Sequence, residues 1–548
     1  MTTTIQAQVS QATLSKVSRL FNASLTDCFN ELLQNARRAG ASVVIVTLTR
    51  DCQLVIMDDG VGIANPQTLL TLGKSDWSSE IQQQEDPAGM GIFSLANRNV
   101  LIRSHNWQVQ LTPAHFAGEA IAVVEPCEMI SGTRLSFRVE EAETSSFNRK
   151  IEQIAKFYPL PVWLNGEEIS RQAFLSEALY VENWQGLRIG IRQKYQWGST
   201  ASINFYGLIL DQALPSLCCN GETLLGRVDV VDCPQLKLVL PARKETVQDE
   251  FWSNLTIEVQ RILYRYVATL DHHDLSHLQW QKAKSLGIEL SVARAILDGF
   301  VPETANSYDV DRGIPMMITE RTLLINIGDL ACGEQQVFWR AFQQAKLDYE
   351  PVNPNQDYVG YPWYDRLACL SNVRFEIEQG GTVVEIQQWC VGRSSGSSES
   401  VDQIWAIAQI TDSLLNSQEI RFACEVLLVE DPEEYCDHKV EQTPIVLSQS
   451  ANLSVDDLAE LLEAAYFSFN EDYDANSLYT QQEDFREIAY ERAAKALLTD
   501  QAAFQSRIEM VAARHLSWMV PLSQKLEIRL VPRGVDDPVM SVEMRATD

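Results

Sequence analysis

Residues 55–63 read VIMDDGVGI: an apolar run that ends in two adjacent carboxylates and then gives up its side chains at two alternate positions. A turn after a buried strand accounts for part of this, because Asp and Gly tolerate the left-handed angles a reversal needs. The neighbouring stretches account for more. Upstream, LTDCFNELLQNARR (25–38) sets Leu25, Cys28, Phe29, Leu32, Leu33 and Ala36 at the spacing of an amphipathic helix, which Gly40 stops. SVVIVTLT (42–49) and QLVIMD (53–58) read as two strands joined at Arg50-Asp51-Cys52, a hairpin. Downstream come a polar stretch from Asn65 to Pro87 and then GMGIFSLANRNVL, glycine-rich at its start and helical after it. Strands are expected at 100–110, 119–125 and 133–139, giving a helix-plus-mixed-sheet domain that ends near residue 145.

The 548 residues exceed what one core can organise, and several domains are expected. At 45% hydrophobic and 22% charged the composition is globular. A net charge of −30 argues against a broad basic surface that grips nucleic acid. The first residues carry no secretory apolar core, and no apolar run is long enough to span a membrane, so a cytoplasmic protein is expected. The eleven cysteines are scattered without a CxxC pair, the pattern of reduced, buried thiols.

A helix in SSFNRKIEQIAKFY and the hairpin signal Asn165-Gly166 open a second α+β region over 146–270. Its strands are expected at LRIGIRQ, SINFYGLIL, LLGRVDVV and LKLVL, before a long helix from Gln248 to Thr269. A middle region of unknown role runs over 271–395, with VGRSSGSSES (391–400) as a linker. The last region, 396–548, carries 29 acidic against 11 basic side chains; a solvated surface is the ordinary meaning of such a run.

Glu31 and Asn35 stand one turn apart on the first helix and point the same way. A carboxylate there can polarise a water as general base, and an amide oxygen can hold Mg²⁺, which prefers hard oxygen ligands. The order of elements sharpens this: ELLQNA on a helix, DDGVG after a strand, AGMGIFS before a helix, SGTRLSF in a late strand.

In these four boxes, residues 1 to about 140 resemble the GHKL ATPase family of DNA gyrase B, the ninety-kilodalton heat-shock chaperones, histidine kinases and MutL. GMGIFS is most similar to the run of the heat-shock branch. The resemblance implies a Bergerat-type α/β sandwich at the head of an α+β multidomain chain, followed by a transducer-like domain and a mixed α/β C-terminal half. It implies ATP and Mg²⁺ as ligands. Glu31 would be the general base and Asn35 the Mg²⁺ ligand. Asp58 would accept from the adenine amino group, supported by Thr133, with Gly60 and Gly62 letting backbone approach the nucleotide and Asp59 a solvated neighbour. Gly89, Met90 and Gly91 would open a helix onto the phosphates, and Lys74, in a lid-length polar segment, would approach them.

In gyrase-like and chaperone relatives a basic residue from the transducer domain reaches the γ-phosphate. Arg243 and Lys244 in LVLPARKETVQDEF offer it here, the choice between them open. The implied activity is slow ATP hydrolysis driving a chaperone-like clamp, homodimeric through the N-terminal domain and acting on an unidentified protein client. The alternative is an ATP-regulated scaffold or sensor with little turnover, reaching nucleic acid only through a partner.

Other constellations count for less. DHHDLSH (271–277) holds an i, i+4 pair, His273 and His277, that could bind zinc, but solvated histidines are the simpler reading. Glu430 with Asp472 and Asp474 is similar to a topoisomerase metal fold, yet Asp431 stands where glycine is expected. No phosphoacceptor histidine precedes the first helix, which disfavours a histidine kinase, and the lid sequence of MutL is missing.

Overall fold

The computed structural model describes residues 24–71, 73, 77–85, 87, 91–144, 146–194, 201–240, 243–306, 313–389, 397–429, 440, 443–470, 477–519, 524–531 and 539–546. It is an α+β multidomain chain in two compact units, 1–293 and 294–548.

The first unit begins with helix Leu25–Arg38, the span the periodicity predicts. Ser24 caps it: its hydroxyl accepts from the Asp27 amide while the Asp27 carboxylate accepts from the Ser24 amide, which satisfies two free helix-start donors. At the other end Gly40, at φ +67°, lets its own amide reach the Arg37 carbonyl and the Ala41 amide reach that of Ala36. All six predicted apolar residues are buried. Phe29 packs edge-on against Phe147 at 6.2 Å, and burying such a ring stabilises the fold by about 2 kcal/mol.

The helix lies on a mixed sheet of order β3-β4-β2-β1-β5-β6: β1 (Val44–Leu48), β2 (Gln53–Asp58), β3 (Val100–Leu111), β4 (Val124–Arg138), β5 (Val162–Leu164) and β6 (Glu167–Glu168). The β1–β2 hairpin turns where expected, with Cys52 at φ +60°. The separate strands expected at 119–125 and 133–139 are one long strand, β4, paired along β3 across bulges at Ser104 and His105. Helix Phe147–Ala155 and β5, parallel to β1, belong to the same core, which runs through Ile169. The boundary expected near 145 therefore falls inside this layer: Phe147, Ile151 and Ala155 are apolar residues that only the first sheet can bury.

The second sheet has the order β10-β9-β12-β8-β7, with β11 beside β12: β7 (Tyr180–Trp184), β8 (Leu187–Gln193), β9 (Ile203–Phe205), β10 (Leu208–Leu210), β11 (Ser216–Cys219) and β12 (Glu222–Val230). SINFYGLIL, expected as one strand, is a hairpin, because Tyr206 and Gly207 both take positive φ. LKLVL is not a strand; its backbone closes on residues 243–247 through bonds from Arg243 and Val247 amides to Val239 and Lys237 carbonyls. Helix Glu250–Ala268 covers the sheet.

The second unit has a six-stranded sheet, a three-stranded one and helices Cys332–Ala345, Val455–Tyr466 and Leu478–Leu497 around a shared core. The expected linker at 391–400 lies within this unit; strand Ser398–Val401 pairs with Ile445–Ser448, and 390–396 lie outside the described residues.

Candidate functional site

Asp58 ends β2 directly opposite Thr133 of β4, which is buried. Its Oδ1 accepts from the Gly60 amide at 3.0 Å. Burial pushes its carboxyl above the usual carboxylate range; amide bonds from Gly60 and Thr133 pull it back, and the charge of Asp59 pushes it further. Asp59, expected as a solvated neighbour, is exposed, and its carboxylate also accepts from the Ser42 amide (2.7 Å), the Val43 amide (3.1 Å) and the Ser42 hydroxyl, closing the start of β1. These bonds, Ser42's hydroxyl first, hold its carboxyl below the usual range.

The glycines around Asp58 are forced by protein neighbours. A Cβ on Gly60 would lie 2.7 Å from both Ala39 Cβ and the Ala39 carbonyl oxygen, and one on Gly62, at φ +74°, 2.7 Å from Ser104 Oγ. Gly132 is tighter, since a Cβ there would sit 1.9 Å from the Asp58 carbonyl oxygen.

Gly91 opens a five-residue 3-10 turn, Gly91–Leu95, rather than the expected helix. Phe93, Leu95 and Ala96 are all buried within this short segment and the chain re-enters the sheet at Val100. Gly91 lies against the first helix, where a Cβ would be 2.2 Å from Glu31 Oε1. Lys74, Gly89 and Met90 lie outside the described residues, as do Glu430, Asp431, Asp472 and Asp474.

Glu31, Asn35 and Arg38 follow one another along one flank of the first helix. Arg38 Nη1 lies 3.6 Å from Glu31 Oε1 and donates to Asn35 Oδ1 at 3.2 Å, while its Nε donates to Glu85 at 3.0 Å. Glu85 ends helix Ser79–Glu85, in the segment between the second and third boxes, and also pairs with Arg37. Arg37 in turn lies over the Tyr206 ring, 4.3 Å from its centroid, where the second sheet meets the helix.

Arg243 reaches the same place from the loop after β12. Its Nη1 is 3.7 Å from Glu31 Oε2, and the side chain is 6% exposed. Its Nε and Nη2 are buried with no hydrogen-bond partner among the described residues. Burial and then the charge of Arg38 pull its guanidinium down to about 10, against the opposing pull of Glu31 and Glu85. Its backbone is held at φ +53°, which costs a side-chain-bearing residue about 1 kcal/mol. Lys244 goes elsewhere: its exposed ammonium pairs with Asp27 at 3.2 Å.

Sequence reasoning took Glu31 and Asn35 from the helix face but missed Arg38, which the same periodicity puts on that flank. It also missed Glu85, whose partners are distant in the chain. Of the histidines, His273 is buried, held by the Leu275 amide and the Ser291 carbonyl, and no cluster able to hold a metal ion occurs among the described residues. Nor is any described helix long and apolar enough to cross a membrane.

No family model and no curated protein matches this sequence. Among solved structures the chain is similar to the ATPase and transducer domains of DNA topoisomerase II from Balamuthia mandrillaris, at 16% identity and TM-score 0.28, over 34% of this chain. The matched part spans 60% of that chain. It is similar to the Aquifex aeolicus MutL ATPase domain complexed with ADP at 14% identity and TM-score 0.24, over 38% of this chain and 92% of that one. A third is the ATPase region of Saccharomyces cerevisiae topoisomerase II bound to ICRF-187, at 8% identity and TM-score 0.29, over 44% of this chain and 85% of that one.

Proposed function

We propose that this chain binds ATP beside the first helix and hydrolyses it slowly, as a GHKL-type conformational machine. The observation that carries the proposal is the Arg243 guanidinium, buried against Glu31 with two nitrogens that have no hydrogen-bond partner among the described residues. Buried guanidinium nitrogens that make no hydrogen bond are costly; a phosphate delivered to them would complete their hydrogen bonds.

In this reading Asp58 accepts from the adenine amino group, an acceptor matched to a donor in a half-dry pocket. Glu31 orients the attacking water, and Arg243 stabilises charge as the terminal phosphate leaves. Asn35 offers a neutral oxygen, so Mg²⁺ fits only with nucleotide oxygens and water supplying the rest of its shell; it would neutralise phosphate charge. Lys74, Gly89, Met90 and Gly91 complete the phosphate side by resemblance. Closure of the lid segment, dimerisation through the N-terminal domain and release after hydrolysis would make the output mechanical, in the manner of the heat-shock chaperones, on a protein client.

The second reading, a nucleotide-gated scaffold with little turnover, has one observation in its favour: both Glu31 oxygens face a guanidinium, Arg38 on one side and Arg243 on the other. Steady-state hydrolysis by wild type, Glu31→Ala and Asp58→Asn, with nucleotide binding measured for all three, decides between them. The enzyme predicts that Glu31→Ala binds without hydrolysing and Asp58→Asn fails to bind. The scaffold predicts a negligible wild-type rate that Glu31→Ala leaves unchanged, and absence of any ATP binding overturns both.

A further inference from the structure

Three guanidiniums, from Arg37, Arg38 and Arg243, converge on two carboxylates, Glu31 and Glu85. Arg38 and Glu85 are both buried, at 5% and 8% exposure. Glu85 is paired with both arginines of the helix end, through Arg38 Nε at 3.0 Å and through Arg37 Nη2. Arg38 Nη2, like the two nitrogens of Arg243, is buried and has no hydrogen-bond partner among the described residues. Counted as whole charges the cluster holds three positive and two negative groups, so it is short of one anion.

Glu85 differs from the other members in its origin. Glu31, Arg37 and Arg38 are fixed by the first helix, whereas Glu85 ends a seven-residue helix in the segment between the second and third boxes. A carboxylate and a phosphate each offer a guanidinium a pair of oxygens that can accept its hydrogen bonds bidentately. We propose that Arg38 is a second cation for the terminal phosphate of a nucleoside triphosphate, and that Glu85 is its resting-state occupant, an intramolecular carboxylate that the phosphate displaces.

This rests on the ATP-binding reading and adds its regulation. With Glu85 in place, Arg38 is held and Glu31 stays bracketed by Arg38 and Arg243. When a terminal phosphate takes Arg38, Glu85 and its helix are released, and Glu31 loses one guanidinium neighbour. A diphosphate, lacking the terminal group, leaves Glu85 where it is. The device makes the segment between the boxes sensitive to the third phosphate in particular.

The test is equilibrium binding of ATP and ADP to the full chain, for wild type, Glu85→Gln, Arg38→Lys and Asp58→Asn. Glu85→Gln keeps shape and removes the competing charge. If the latch is closed ten times as often as open, its loss raises apparent affinity about tenfold, since apparent affinity scales with the competent fraction. The expected result is tighter ATP binding by Glu85→Gln with ADP affinity changed less, and a reduced preference for ATP over ADP in Arg38→Lys, which keeps the charge and loses the fork. Unchanged or weaker ATP binding by Glu85→Gln, in a protein whose circular dichroism matches wild type, overturns the proposal while ATP binding itself stands. If wild type binds neither nucleotide, or Asp58→Asn binds both as well as wild type, the underlying reading fails instead.

Discussion

Arg243 Nη1 lies 3.7 Å from Glu31 Oε2, joining the loop after the second sheet to the first helix. The contact is loose, and Nε and Nη2 have no hydrogen-bond partner among the described residues, so it costs little to exchange for a better anion. Removing one preorganised charge donor from such a centre lowers turnover by about a hundredfold or more. Arg243→Ala is expected to show that loss in steady-state phosphate release, while ADP affinity, which needs no terminal-phosphate contact, changes little.

Lys244 is the contrast. Its pair with Asp27 is exposed, with 67% of the lysine side chain in solvent, and such pairs contribute less than about 1 kcal/mol. Lys244→Ala is expected to shift the urea midpoint only slightly and to leave phosphate release near wild type. A loss as large as that of Arg243→Ala would move the proposed catalytic role from Arg243 to Lys244.

Asp58 gives a pH signature. A carboxyl whose folded value lies above its unfolded value, ordinarily 3.8, holds its proton more tightly when folded. Its contribution to stability is fully present below the unfolded value and is lost as pH rises through the folded one. Asp58→Asn removes that loss and can still accept from the Gly60 amide. It is expected to melt no lower than wild type at neutral pH, to lack this component of the stability profile from about pH 4 upward, and to lose adenine-nucleotide binding. A variant that melts lower and binds normally contradicts both assignments.

Two glycines separate function from stability. At Gly91 an added Cβ meets the Glu31 side chain, 2.2 Å from Oε1 and 2.6 Å from Cγ. Gly91→Ala is expected to swing Glu31 away and, with the proposed base out of position, to cut phosphate release at least about tenfold. At Gly132 the Cβ meets the Asp58 carbonyl at 1.9 Å, with φ at +69°. Backbone cannot rotate aside as a glutamate can, so Gly132→Ala should destabilise by about 3 kcal/mol or more in urea unfolding.

Much of the first layer was legible because its signals are local. Helix Leu25–Arg38 carries its own apolar stripe and a stop at Gly40, and the β1–β2 hairpin carries its own turn. The misreadings came where a local signal was overridden. SINFYGLIL reads as one strand until Tyr206 and Gly207 take positive φ; LKLVL has strand composition but folds back on residues 243–247. Phe147, Ile151 and Ala155 lie past the boundary expected near 145 yet pack into the first core, a contact that no signal local to them encodes.

By itself the sequence determined the local elements of the candidate site: the face of the first helix, the Asp58 strand end and the glycines after it, all set by periodicity and backbone chemistry within a few residues. Tertiary structure alone decided the electrostatics. Which of Arg243 and Lys244 turns inward depends on a left-handed backbone angle in a loop distant from the helix. The pairing of Glu85 with Arg37 and Arg38 depends on where the chain returns. Charges act through space at a few ångströms, and separation along the chain carries no record of that distance.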